Sequence, residues 1–307
     1  MKSTAPQNHI LLGIVLAVAA TIIWSGNFII ARGIINDIPP VSLSFFRWLT
    51  AVILLLPIAR NHIKPSWIVV KQNKSYFIWT ALMGVSLFNT FVYIAGHTST
   101  AINLALIGTT SSPIMSVILA HYFLKEHITW RRVVSISICL AGILFLLSKG
   151  NLMNLLQLKI TVGDSWVLLA AFCFAVYNIL TRKKPKEISA LGFLFFVFLI
   201  GTLMLFPAYV VESVSSKAII WSWKSASAIL YLGLGTSVIS FLFWNRSIKE
   251  MGAGRTALFG NLIPIFSSIE AVILLGEKIT IIHIISFVLI AVGLMIDNIH
   301  LLFKNKV

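Results

Sequence analysis

Ten stretches of this 307-residue chain are apolar over membrane-crossing lengths and almost free of charge, and this limits the fold more than any other feature. They fall at roughly 10–31, 41–59, 76–95, 101–123, 130–148, 164–182, 190–211, 226–246, 254–275 and 280–299. A helix rising about 1.5 Å per residue crosses the hydrocarbon core in about 20 residues, which matches these runs. Lipid offers no partner to the backbone, so each run has to satisfy its own amides and carbonyls as a helix. The third and eighth runs are the weakest of these, because they carry more polar residues. The expected fold is an all-α polytopic membrane protein with ten transmembrane helices. Only 11% of residues are charged and 58% are hydrophobic, which leaves no room between the runs for a soluble catalytic domain.

The formal charge of +15 does not point to nucleic acid. Basic residues sit in short clusters between the apolar runs, where they set topology rather than form a surface able to track phosphates. With the N-terminus inside, sixteen of the 24 lysines and arginines fall on the inner side and six on the outer, with Arg47 and Arg255 in or at the edge of spans. This bias places both termini in the cytoplasm and the chain in the cell (inner) membrane. Lys2 and Ala17-Val18-Ala19 superficially resemble a signal peptide, but the apolar run continues through Ile30 and more spans follow, so the first span is read as uncleaved. Cys139 and Cys173 lie inside apolar runs and are read as free core residues.

An internal repeat organises the chain. A shift of 151 carries Pro113 onto Pro264, Ala120 onto Ala271, Leu124 onto Leu275, Glu126 onto Glu277, Ile128 onto Ile279, Thr129 onto Thr280 and Gly142 onto Gly293. The halves are taken as 1–155 and 156–307, each with five spans. An odd number forces the second half to enter the membrane from the opposite side. Inverted repeats of this kind recur in secondary transporters, with the site between the halves near the midplane.

Trp24-Ser25-Gly26-Asn27-Phe28, Phe45-Phe46-Arg47-Trp48, Trp244-Asn245-Arg246, Gly252-Ala253-Gly254-Arg255, Asn261-Leu262-Ile263-Pro264, Leu274-Leu275-Gly276-Glu277 and Ala291-Val292-Gly293 resemble motifs of the drug/metabolite transporter superfamily, EamA type. The first half departs from the pattern, with Lys125-Glu126 where the second has Gly276-Glu277. The resemblance implies ten helices in two inverted five-helix repeats around a cavity lined mainly by spans 1, 3, 4, 6, 8 and 9. It also implies export of amino acids, nucleotide-like metabolites or drugs, without choosing among them.

On those spans the residues able to contact a substrate are Trp24, Asn27, Asn89, Tyr93, Thr110, Ser111, Tyr177, Asn178, Ser240, Trp244 and Asn261. An amide facing lipid is costly, which favours an inward role for the asparagines, although amides also join neighbouring helices. Tyrosine and tryptophan populate interfacial belts in any membrane protein, so Tyr93 and Trp244 have that second reading. Pro113 and Pro264 are expected to break their helices beside polar runs, Thr109 to Ser112 and Gly260-Asn261, exposing carbonyls to a ligand. A packing kink is the simpler reading.

Arg47 and Glu270 each lie about six residues inside the outer end of a span, roughly 9 Å deep, and neither has a charged counterpart in the other half. Buried alone, each costs several kcal/mol. They are therefore expected to pair with each other or to meet a shared ligand. Substrate contact or proton coupling by Glu270 and an outward-reaching Arg47 are the other readings. Glu126 and Glu277 are read as ends of helical hairpins, with Thr129 and Thr280 capping the next helices.

No enzyme reading has its parts. His97, His121 and His127 lack metal-ligand spacing, and neither a Gly-x-Ser-x-Gly elbow nor a P-loop occurs, so no metal or cofactor is expected. The partners expected are a small-molecule substrate and the lipid bilayer; the sequence does not identify a coupling ion. The amides, hydroxyls and aromatics suit a small polar metabolite, amino acids foremost. Nucleoside-like metabolites, drugs or a channel-like protein are the alternatives.

Overall fold

A computed structural model describes residues 7–125, 127–148, 150–151, 161–251, 256 and 259–303. Most of its described residues are helical, with no strand among them. In chain order the elements are α1 (Gln7–Gly33), α2 (Pro40–Gln72), α3 (Lys74–Ala81), a π-helical segment (Leu82–Leu87), α4 (Phe88–Ala95), α5 (Ala101–Leu124) and α6 (Trp130–Leu147). Then follow α7 (Val162–Arg182), α8 (Ala190–Ser215), α9 (Trp223–Leu230), a second π-helical segment (Tyr231–Ile239), α10 (Ser240–Met251), a 3-10 turn (Gly260–Leu262), α11 (Ile263–Leu275) and α12 (Ile281–Phe303). Among the described residues, seven continuous helical stretches are long and apolar enough to cross a membrane, and Val133–Leu146, Ile263–Leu275 and Ile281–Gly293 are shorter apolar helices.

Packing partners repeat between the halves. Helix α6 packs on α12, α2 on α8, and α5 on α11. The contact of α5 with α7 is matched by that of α11 with α1, and α1 against α10 is matched by α7 against α4. The second π segment lies on α2 as the first lies on α8.

The third and eighth apolar runs each leave regular α geometry for a π-helical segment, Leu82–Leu87 and Tyr231–Ile239. In the second π segment the hydroxyls of Thr236 and Ser237 both donate to the Leu232 carbonyl, at 2.7 and 3.0 Å. π turns commonly mark functional positions in a helix. Glycines let each segment approach a neighbour closely: a Cβ at Gly84 would overlap the Tyr177 ring, and one at Gly233 would lie 2.6 Å from Thr50.

A second local match ends α5 and α11. Lys125 and Gly276, 151 residues apart, both adopt the left-handed conformation (φ 56° and 68°). Their amides close onto the carbonyls of Ala120 and Ala271, also 151 apart. The sequence departure at Lys125 therefore does not change the backbone. It only places a side chain where glycine is the easier occupant.

The prolines do not repeat structurally. Pro113 lies exposed inside an uninterrupted α5, because its ring holds a helical φ and one missing amide bond does not end the helix. The expected helix break at Pro113 is thus corrected. Pro264 is buried in the first turn of α11, after the 3-10 turn, where an amide would have no intrahelical acceptor.

At the face where α1 ends, polar contacts tie the halves together. Glu212 of α8 accepts from the amides of Val41 and Ser42 at 3.1 and 2.6 Å, giving α2 the cap that its own Pro39 does not supply. Glu277 accepts from Ala101 and Ile102 at 2.8 and 3.2 Å, while Thr100 takes the Asn103 amide. The first three amides of α5 are thereby satisfied. Glu277 does more than end a hairpin: it caps a helix of the other half. Ser99 donates to Asp164 at 3.0 Å, Lys224 pairs with Asp37 at 2.7 Å, and Arg32 donates to the Gly96 carbonyl at 2.9 Å. Since Asp164 lies in the first turn of α7, the second half begins on the face where α1 ends. Glu126 lies outside the described residues.

Candidate functional site

Arg47 is the polar centre of the bundle, only 6% exposed. It extends from α2 toward α1, α4 and the second π segment. Its Nη1 donates to Asn27 Oδ1 at 2.6 Å, Asn89 Oδ1 at 2.7 Å and Tyr93 Oη at 2.7 Å. Its Nε donates to Ser237 Oγ at 3.1 Å, and the guanidinium lies 4.8 Å from the Trp48 ring centroid. The Tyr93 hydroxyl in turn donates to Asn27 Oδ1 at 3.1 Å. Three residues expected to line a cavity, Asn27, Asn89 and Tyr93, therefore share one partner. The π turn is what brings Ser237 to it.

Every acceptor around Arg47 is neutral. The expected pairing with Glu270 does not occur: Glu270 Oε1 accepts from Ser25 at 2.7 Å, and Oε2 is buried without a partner. Helix α1 explains why. Ser25 and Asn27 are two residues apart, so their side chains leave the helix roughly 200° apart, on nearly opposite faces. One face holds Glu270 and the other Arg47, with α1 between them. Equal depth in the membrane did not imply a shared environment. A single small ligand held by both charges is corrected on the same ground.

Trp24 and Trp244 meet at 5.0 Å between ring centroids, and Trp24 Nε1 donates to the Thr236 carbonyl at 2.9 Å. Tyr231 donates to the Ile23 carbonyl at 2.8 Å over Gly26, whose missing Cβ makes room for the phenol. Tyr177 packs on Gly84 and on Phe174, 5.7 Å between centroids. Asn178, the repeat partner of Asn27, donates to Ser116 at 3.3 Å and so bridges α7 to α5, with no arginine at that place. The hydroxyls of Thr110, Ser111 and Ser240 are buried without a partner, the condition that an ordered water or ligand relieves. The side chain of Asn261 lies outside the described residues.

Sequence reasoning missed Ser25, Ser237, Tyr231 and Glu212. Ser25 stands inside the Trp24–Phe28 motif and Ser237 in the polar stretch of the eighth run, so both had a local signal. Glu212 had none, because its role depends on which helix start lies beside it.

Comparison with known proteins adds the following. The EamA-like transporter family profile matches twice, over residues 11–148 and 161–298. An uncharacterized transporter of Bacillus subtilis (strain 168), YyaM, is 28% identical over 289 residues, covering 92% of each chain. An uncharacterized transporter of Archaeoglobus fulgidus is 26% identical over 278 residues, covering 89% of this chain and 90% of its own. One solved crystal structure covers 94% of this chain and 96% of its own with a TM-score of 0.61 at 16% identity, which is a likeness of fold.

Proposed function

Because the chain belongs to the EamA-like transporter family, a group of multi-pass membrane proteins, we propose that it is a secondary transporter exporting a small polar metabolite by alternating access. Ten helices form two inverted five-helix repeats, residues 1–155 and 156–307, in the cell membrane with both termini cytoplasmic. The repeated packing partners, the matched left-handed turns and the start of α7 on the face where α1 ends support the inversion. The charge bias supports the orientation.

The observation that carries the reading is the Arg47 cluster. Four polar side chains from three helical spans converge on one buried cation. Burying such a group is expensive, and intramembrane ionisable residues mark substrate pathways. Three of the four partners, Asn89, Tyr93 and Ser237, come from spans carrying π turns, and those two spans come from different halves, as expected where one half moves against the other. Amino acids are the leading substrate class, since the surroundings offer amides, hydroxyls and tryptophans with a single cation.

Dipeptide loading tests both direction and class. Cells hydrolyse the peptides and accumulate free amino acids, and expression of the transporter is expected to lower the internal level and raise the external one. Unchanged internal pools for every dipeptide supplied, with the protein present in the membrane, would remove the amino-acid assignment.

A further inference from the structure

We infer that Arg47, Asn27 and Asn89 form an oxyanion subsite that holds the carboxylate of the transported molecule; this rests on the transporter reading above. The cluster leaves several hydrogen-bond donors unused. Both amide oxygens are turned to Nη1, which fixes the amide orientation, since a guanidinium only donates. The Nδ2 groups of Asn27 and Asn89 and the Nη2 group of Arg47 then remain, bonded to no described residue. None of the three is among the completely enclosed polar atoms of the protein. What the cluster presents is a set of donors around a positive charge.

The charge is also uncompensated. No carboxylate among the described residues pairs with Arg47, and the nearest expected one, Glu270, is held by Ser25 behind α1. A cation 6% exposed and ringed by neutral acceptors has its hydrogen bonds at Nε and Nη1 only. An oxyanion at Nη2 supplies the missing negative charge through charge-assisted bonds, the strongest kind available there. The amide NH2 groups add neutral donors to the same oxyanion. A neutral acceptor gains only the weaker, uncharged bonds and leaves the guanidinium uncompensated, and a cationic ligand is repelled by it.

Carboxylate and phosphate share this chemistry, and the test separates them. The full-length protein in lipid nanodiscs is heated with each proteinogenic amino acid, and each stabilising acid is compared with its carboxamide. Inorganic phosphate and succinate are run beside them. The inference expects stabilisation by the acid and its loss in the carboxamide, with affinity at least about tenfold weaker. Asn89→Asp is the second arm. It is isosteric and places a carboxylate against the guanidinium, so it should remain at least as thermostable as the wild type while ligand affinity falls about tenfold or more.

Equal stabilisation by acid and carboxamide would overturn the subsite and leave the amino-acid reading standing, as would undiminished binding by Asn89→Asp. Binding of phosphate or succinate but of no amino acid would keep the subsite and end the amino-acid reading. Stabilisation by none of these anions overturns the subsite itself.

Discussion

Replacing Arg47 by methionine and Glu270 by glutamine, singly and together, measures whether α1 separates the two charges. In Arg47→Met the Nη1 and Nε bonds vanish. Tyr93 keeps its 3.1 Å bond to Asn27, and Ser237 keeps its 3.0 Å bond to Leu232. Only Asn89 Oδ1 is then left without any hydrogen bond among the described residues, a cost of about 1–3 kcal/mol. Against this, an uncompensated buried cation has been removed, worth several kcal/mol in the other direction. The single variant is therefore expected within about 2 kcal/mol of the wild type despite losing four hydrogen bonds. Glu270→Gln retains the Ser25 contact and removes the carboxyl group on the other side of α1. The two changes share no partner, so their effects should add to within about 0.5 kcal/mol. Unfolding free energies from denaturing-detergent titration of the three variants and the wild type give the coupling. A coupling beyond about 1 kcal/mol, or a loss of about 3–5 kcal/mol in Arg47→Met alone, would mean that the charges do compensate each other and that the placement of α1 between them is wrong.

Glu277→Ala should uncap α5, costing about 1–2 kcal/mol and speeding hydrogen exchange at the Ala101 and Ile102 amides, while exchange at Asn103 stays protected by Thr100. Unchanged exchange at 101 and 102 would contradict the cross-half cap. Gly96→Ala should destabilise by more than about 2 kcal/mol, because its Cβ would overlap the Ala31 carbonyl oxygen, a backbone atom that cannot rotate away; a wild-type melting temperature would show that α1 and this turn sit further apart. Lys125→Gly should stabilise by about 1 kcal/mol by removing a side chain from a left-handed turn, and a loss of stability there would mean that the lysine side chain has a role which the backbone does not reveal.

The membrane-crossing helices were legible because lipid solvation imposes a long, charge-free run on each of them, and the family resemblance was legible in contiguous motifs. Counting residues from a span end put Arg47 and Glu270 at one level, and their partners Asn27 and Ser25 stand only two residues apart along α1. Direction around the helix axis was not legible. Asn27 and Ser25 differ by two positions in sequence but by opposite sides of α1 in space, and only knowing which neighbour lies on each side separates their partners. The repeat misled at Pro113 and Pro264 for a related reason. Matching residues were visible, but whether a proline falls within a helix or at its first turn depends on where that helix begins. At Lys125 and Gly276 the reverse held, with unlike residues in one backbone conformation. Helix caps supplied across the halves, by Glu212 and Glu277, were beyond reach because no local pattern names the helix that a distant carboxylate will meet.

Counterflow in proteoliposomes tests the central claim, that this chain is a carrier which alternates access around an internal site. Vesicles loaded with an excess of an amino acid that stabilises the protein are diluted into a trace of the same compound carrying a radiolabel. A carrier predicts transient accumulation of label above equilibrium and a rate that saturates with concentration. Linear, non-saturating entry without overshoot would contradict the claim and identify a pore instead.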